Sequence, residues 1–272
     1  MRSTRPMALA VFCDLLLLVT PGVALGVLLL ALLPRGGDVR GVGDGLRIFV
    51  HVALFVLMRD AMTPTGLWSL SAAAADGVLR LRFIDDAAVL LALSLSSLAI
   101  VLSTVAYERH LVRTYVRFGR VDRMCVALGV GGALCIAAPL ALFTRRAPPV
   151  QWEQRFAVSN AARIAALPLA LFGNLWEELL FRGFVQGAAR AALNGSDERS
   201  NDNPSYRAAA VAAVAFAFMH SYLAFTVTQA GTGVLVFTLY EGAVCAALAE
   251  RHGVLAAALA HGGGIYIIGT TL

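Results

Sequence analysis

The chain has 272 residues, of which 59% are hydrophobic and 14% charged, with a formal net charge of +5. Its mean hydropathy is +0.75. That balance excludes an ordinary soluble domain and defines a polytopic membrane protein. Every basic residue is an arginine, and the positive excess is better explained by loops on the cytoplasmic side of a bilayer than by a nucleic-acid surface.

Apolar runs of about 20 residues, each long enough for a hydrocarbon core of roughly 30 Å, predict spans at 7–33, 84–106, 124–143, 157–182, 206–222, 231–250 and 254–271. The first run exceeds the roughly 7–15 residues of a signal-peptide core and carries Asp14, so a retained span is expected rather than a cleaved leader. Segment 42–75 is ambiguous. Leu46 to Met58 is apolar but short, and Arg59-Asp60 and Pro64-Thr65-Gly66 interrupt the stretch beyond Met58. It reads as a further span, a re-entrant hairpin or an interfacial piece. The expected fold is therefore all-α, a polytopic transmembrane helical bundle of seven or eight spans.

Arg109, Arg113, Arg117, Arg120 and Arg123 make 107–123 the densest basic loop, which the positive-inside rule puts in the cytoplasm. Alternation then sets 144–155 outside, 183–205 inside, 222–230 outside and Arg251-His252-Gly253 inside, with Arg145 and Arg146 running against the rule. The polar stretch from Asn194 to Ser205 has turn residues and no apolar periodicity, as a loop does. Cys13, Cys125, Cys135 and Cys245 are scattered through apolar runs without a CxxC or a Cys/His cluster. They read as small buried hydrophobes, with neither a disulfide framework nor a zinc knuckle.

Glu177-Glu178-Leu179-Leu180-Phe181-Arg182 places two carboxylates and an arginine inside an apolar helix. Each ionisable group in a span costs roughly 2.5–3.5 kcal/mol on insertion scales, so such groups are read as functional. His220 and His261 lie in separate apolar stretches further along the chain. At about 1.5 Å per residue, Glu178 lies roughly 24 Å before Asn194 and His220 roughly 22 Å after Ser205, so an antiparallel pair about that loop brings them to one depth. His261 lies only about 12 Å beyond Gly253 on the same measure.

Spacing divides the labour. Glu178 and Arg182 share a helix face in the favourable order for an ion pair. Glu177 points about 100° away and lacks that partner, which in a low-dielectric site suits a general base. His220 can share the water with Glu177, and His261 can donate to a developing oxyanion. Asp14 and Glu241 also lie in apolar runs. They read as packing or interhelical hydrogen-bond residues, with Glu241 the better placed to approach the site.

Glu177-Glu178-x-x-x-Arg182, Phe216-x-x-x-His220 and His261 resemble, in order and spacing, the three motifs of the CAAX-protease and bacteriocin-processing (CPBP, or Abi) family of glutamic-type intramembrane proteases. The resemblance covers roughly 157–271. It implies an intramembrane endopeptidase without metal or other cofactor. Glu177 and His220 would activate the attacking water, Glu178 and Arg182 would support them, and His261 would stabilise the oxyanion. It also implies two regions: 1–150, an N-terminal transmembrane region, and 151–272, a CPBP-like protease core. The expected partners are a membrane-anchored protein or peptide substrate and the lipid bilayer, with no nucleic acid, in the inner (cell) membrane of a bacterium. One departure stands out. The family's third motif usually carries Asn or Asp four residues after the histidine, and this chain has Ile265. Asn174 and Tyr266 are the candidates to compensate, and Gly262-Gly263-Gly264 let backbone approach closely.

No HExxH or rhomboid-type GxSG motif is present. Two other readings use the same residues: a metal-dependent hydrolase, with two histidines and a glutamate as zinc ligands, and a non-catalytic membrane scaffold or immunity-type protein, suggested by Ile265.

Overall fold

A computed structural model describes residues 7–33, 42–62, 64–65, 67–72, 79–144, 159–194, 204–228 and 231–271. Most of the polar loop 194–205, the segment 145–158 with Arg145 and Arg146, and Gly66 lie outside the described residues. Helices α1 (Met7–Leu32) and α2 (Val42–Met62) lead into an antiparallel hairpin, β1 (Trp68–Ala72) and β2 (Leu79–Phe83), with Trp68 opposite Phe83. Then come α3 (Ala87–Tyr107), the short α4 (Arg109–Tyr115) and α5 (Arg123–Thr144). Helix α6 (Asn160–Glu178) runs through a π-helical segment (Leu179–Val185) into α7 (Gln186–Asn194). Helix α8 (Tyr206–Met219) is succeeded by a second π segment (Leu223–Val227), α9 (Thr232–His252) and α10 (Val254–Thr271).

Six helices among the described residues are long and apolar enough to cross a membrane: Cys13–Leu32, Ala87–Tyr107, Arg123–Ala141, Asn160–Leu193, Tyr206–Val227 and Thr232–His252. The polytopic helical bundle is as expected, but the count of seven or eight spans is corrected to six. Val254–Thr270 is apolar yet reaches only roughly 26 Å at about 1.5 Å per residue, short of the hydrocarbon thickness. Helix α2, the ambiguous segment, holds Asp44, Arg47, Arg59 and Asp60, all buried.

Helix α2 is accommodated because its charges are partnered inside the protein. Arg47, 1% exposed, ion-pairs with Glu108 and donates to the carbonyls of Leu30 and Leu33 at 2.9 and 3.0 Å. It thereby satisfies orphan acceptors at the C-terminal end of α1. His51 Nε2 lies 3.0 Å from the same Glu108. Burial pushes the Glu108 carboxyl up, but His51 and Arg47 outweigh it and hold it below its ordinary value. Tyr115 donates to Asp44 at 3.0 Å, and burial together with that carboxylate pushes the phenol up to about 12.

Aromatic packing then ties α2 to the C-terminal helices. Phe55 meets Trp176 edge-on at 5.2 Å, and Phe181 meets Phe216 likewise at 5.2 Å. Asp86 caps α3 and Ser159 caps α6, and Asp85 accepts from the Ser159 hydroxyl at 2.7 Å, joining the hairpin's end to the start of α6. At the opposite face, Val254 N donates to Arg117 O at 2.8 Å. The basic loop and the Arg251–Gly253 turn therefore share one side of the bundle. Gly119 and Gly253 both have positive φ there, and a Cβ on Gly119 would sit 1.9 Å from His252 O.

Helix α10 is wedged between α5 and α6. A Cβ at Gly262 would stand 2.7 Å from Ala170 O and 2.9 Å from Leu171 Cα, both backbone atoms that cannot swing aside. Gly262→Ala is therefore expected to cost about 1–3 kcal/mol by overpacking. Thermal unfolding in detergent checks this, and an unchanged Tm would mean that the two helices do not need this approach.

Candidate functional site

The five motif residues come together in the bundle interior. Glu177 and Glu178 close α6, Arg182 lies in the π segment, His220 caps the C-terminal end of α8 and His261 lies in α10. All five are buried, between 0 and 6% exposed. Single π turns inside α-helices frequently mark functional sites. Here the widened turn comes directly after the two glutamates.

Glu178 is the better-held carboxylate. It lies 3.1 Å from Arg182 Nε, the i,i+4 pair that the spacing predicts, and accepts from His261 Nδ1 at 2.8 Å. Arg182 stacks its guanidinium over the Phe216 ring at 4.6 Å. Glu177 has looser surroundings. His220 Nε2 lies 3.7 Å from its Oε1, His261 Nε2 lies 3.9 Å from its Oε2, and Oε1 has no hydrogen-bond partner. The two carboxylates share a buried setting with the histidines and so titrate as a coupled set.

The imidazole tautomers are set by their partners. His220 Nδ1 lies 2.8 Å from Phe216 O. A carbonyl only accepts, so Nδ1 carries the hydrogen, and Nε2 of the neutral ring is an acceptor facing Glu177. His261 Nδ1 likewise donates to Glu178, which turns its Nε2 toward Glu241 Oε1 at 3.4 Å. Phe216 packs edge-on against the His261 ring at 5.7 Å and seats both histidines.

Two residues join this cluster that the motifs did not select. Glu241, in α9 and 2% exposed, adds a third carboxylate; its signal was a lone acid in an apolar run. Arg59 arrives from α2 in the N-terminal half, with Nη1 4.0 Å from Glu177 Oε1. Its signal was the charged Arg59-Asp60 pair at the end of an apolar run, which reads as an interruption of a span and not as part of a site.

A cavity of roughly 210 Å³ opens onto Glu177, His220, His261, Glu241 and Arg59, and its remaining wall is mostly apolar. The hairpin closes part of it through Trp68, Leu81 and Phe83. Asn174 and Ile265 also line it. Among the described residues, Glu178, Cys245 and His261 have potential metal-ligating atoms within 4.8 Å of one another. Glu178 and His261 are hydrogen-bonded to each other, and Arg182 Nε lies 3.1 Å from Glu178.

A buried Glu/His cluster inside a polytopic helical bundle, taken with a family-model match, supports a glutamic-type intramembrane hydrolase in general. Residues 159–264 match the family model described as Type II CAAX prenyl endopeptidase Rce1-like. That segment carries the three motifs that resemble the CAAX-protease and bacteriocin-processing family. No curated protein and no solved structure matches.

The two glutamates should differ in stability. Glu178→Gln leaves Arg182, fully buried, without its carboxylate, a loss expected to cost about 3–5 kcal/mol. Glu177 has no hydrogen-bond partner for Oε1 and no ion-pair contact closer than 3.7 Å, so Glu177→Gln should leave Tm close to wild type. Equal melting of the two variants would contradict this division.

Proposed function

We propose that the protein is an intramembrane endopeptidase that hydrolyses a peptide bond of a membrane-anchored protein with a water activated by Glu177 and His220. The observation that carries the reading is the pairing of two acceptors across 3.7 Å, Glu177 Oε1 and His220 Nε2. Two acceptors cannot bond each other directly, but one water can donate a hydrogen to each and keep a lone pair for a carbonyl carbon. Arg182 pairs with Glu178, Glu178 accepts from His261 Nδ1–H, and His261, as the imidazolium, gives its Nε2–H to the oxyanion. Glu177 returns the proton to the departing amine.

The largely apolar cavity suits a substrate that enters from the bilayer and carries a lipid-like or hydrophobic segment. The matched family model is named for endopeptidases acting on prenylated CAAX proteins, which makes a prenylated peptide the first substrate to try. Leader peptides, anti-sigma factors and C-terminal sorting tags are the other substrate classes, and the inner membrane of a bacterium is the proposed location.

The test uses purified protein in proteoliposomes and a quenched fluorescent peptide with a prenylated cysteine. In parallel, the lengths of membrane-anchored proteins are compared between cells with and without this protein. Wild type should cut the peptide or change the length of at least one such protein. Glu177→Gln should abolish that cleavage while the protein stays folded and inserted, because the amide is nearly isosteric but takes no proton. Full activity in Glu177→Gln removes the mechanism. Activity that a chelator abolishes and zinc restores transfers the site to the metal-dependent reading. If wild type cleaves nothing, the non-catalytic scaffold reading takes over.

A further inference from the structure

We infer that Arg59, from the N-terminal half of the chain, donates a hydrogen bond to the oxyanion formed during cleavage, in the place that Ile265 leaves without a donor. The inference rests on the catalytic reading of Glu177 and His220 and adds to it a residue outside the matched segment.

An oxyanion is stabilised by donors fixed in advance near the position it will occupy, so the donors in the cavity wall decide who can serve. Ile265 has none to offer. His220 gives its Nδ1–H to Phe216 O at 2.8 Å, and its Nε2 is an acceptor facing Glu177. His261 gives Nδ1–H to Glu178, and its Nε2 faces Glu241 at 3.4 Å and Glu177 at 3.9 Å. An oxyanion served by His261 alone must compete with two carboxylates. Asn174 donates to Ala170 O at 2.6 Å and Thr238 to Leu235 O at 3.2 Å.

Arg59 differs from all of these. Its Nε donates to Asp60 Oδ1 at 2.8 Å and its Nη2 to Met219 O at 2.8 Å, which fixes the guanidinium plane. Nη1 is buried without a hydrogen-bond partner, 4.0 Å from Glu177 Oε1, in a side chain 7% exposed that lines the cavity. A buried N–H held unspent beside the base is costly unless something occupies it. The indole N–H groups of Trp68 and Trp176 and the nitrogens of Arg182 are also buried without hydrogen-bond partners, but the indoles carry no positive charge, and Arg182 is ion-paired with Glu178 and does not line the cavity.

The step balances within the proposed reaction. The water oxygen bonds to the carbonyl carbon, and its proton passes to the Glu177–His220 pair. The C=O electron pair moves onto oxygen, which accepts from Arg59 Nη1–H beside His261. Collapse restores the C=O and breaks the C–N bond, and the amine leaves with the returned proton.

The experiment measures kcat and KM on the quenched prenylated peptide for wild type, Arg59→Gln, Ile265→Asn and the double variant, with Tm recorded for each. Arg59→Gln should lose about 10²–10³-fold in kcat with KM nearly unchanged. Adding Ile265→Asn, which places a donor in the same cavity, should recover about tenfold or more of that loss. A residue that only braces α2 against α8 would not be rescued from α10. Wild-type kcat in Arg59→Gln, or a loss that Ile265→Asn leaves untouched, overturns the proposal alone. If wild type cuts neither this peptide nor any membrane protein, the catalytic reading and this proposal fall together. Where Arg59→Gln does not fold, Arg59→Lys keeps the charge and loses the fork. It should show a smaller kcat loss that Ile265→Asn again repairs, and absence of that repair counts against the proposal.

Discussion

Inside a bundle packed mostly from alanine, leucine and valine, a charge survives only beside a counter-charge or a hydrogen-bond partner. The Glu178–Arg182–His261 chain meets that requirement by charge pairing at 3.1 Å and one hydrogen bond at 2.8 Å. The rest of the site is arranged around it. Because Glu178 takes His261 Nδ1, the other ring nitrogen is turned toward Glu177 and Glu241. Arg182 is held by Glu178 and by the face of Phe216. Glu177 is left as the carboxylate with free capacity, and His220 faces it with an acceptor.

The helices are arranged to hold that cluster at one depth. The π segment after Glu178 lies where α6 meets α2, α4 and α8, and its residues are among the most buried in the protein. Gly262 lets α10 press on the backbone of α6, which carries His261 to Glu178 although α10 is shorter than the six spanning helices. On the other flank, α2 reaches the site through Phe55 and Arg59. It keeps Arg47, His51 and Asp44 away from lipid by pairing them with Glu108 and Tyr115.

The membrane class and the motif cluster were legible because both rest on local signals. Long apolar runs identify helices, and ionisable residues within them are exceptional enough to be selected one by one. The i,i+4 pairing of Glu178 with Arg182 comes from helix geometry, and the meeting of Glu177 with His220 comes from equal distances to a shared loop. The span count was not legible in the same way, because 254–271 falls just short of a spanning length and composition along α2 cannot say that Arg47 will find Glu108 sixty-one residues away. Arg59 was missed for the same reason, since its relevance depends on a tertiary contact with Glu177. Neither π segment has a composition that separates it from an ordinary helix.

The central claim is that Glu177 and His220 act on a single water as a unit, and a double-mutant cycle on single-turnover cleavage tests it most directly. Groups that act as a unit lose their effect together, so the rate of the Glu177→Gln, His220→Ala double variant should equal that of either single variant. Losses that multiply would show two independent contributions and would contradict the account.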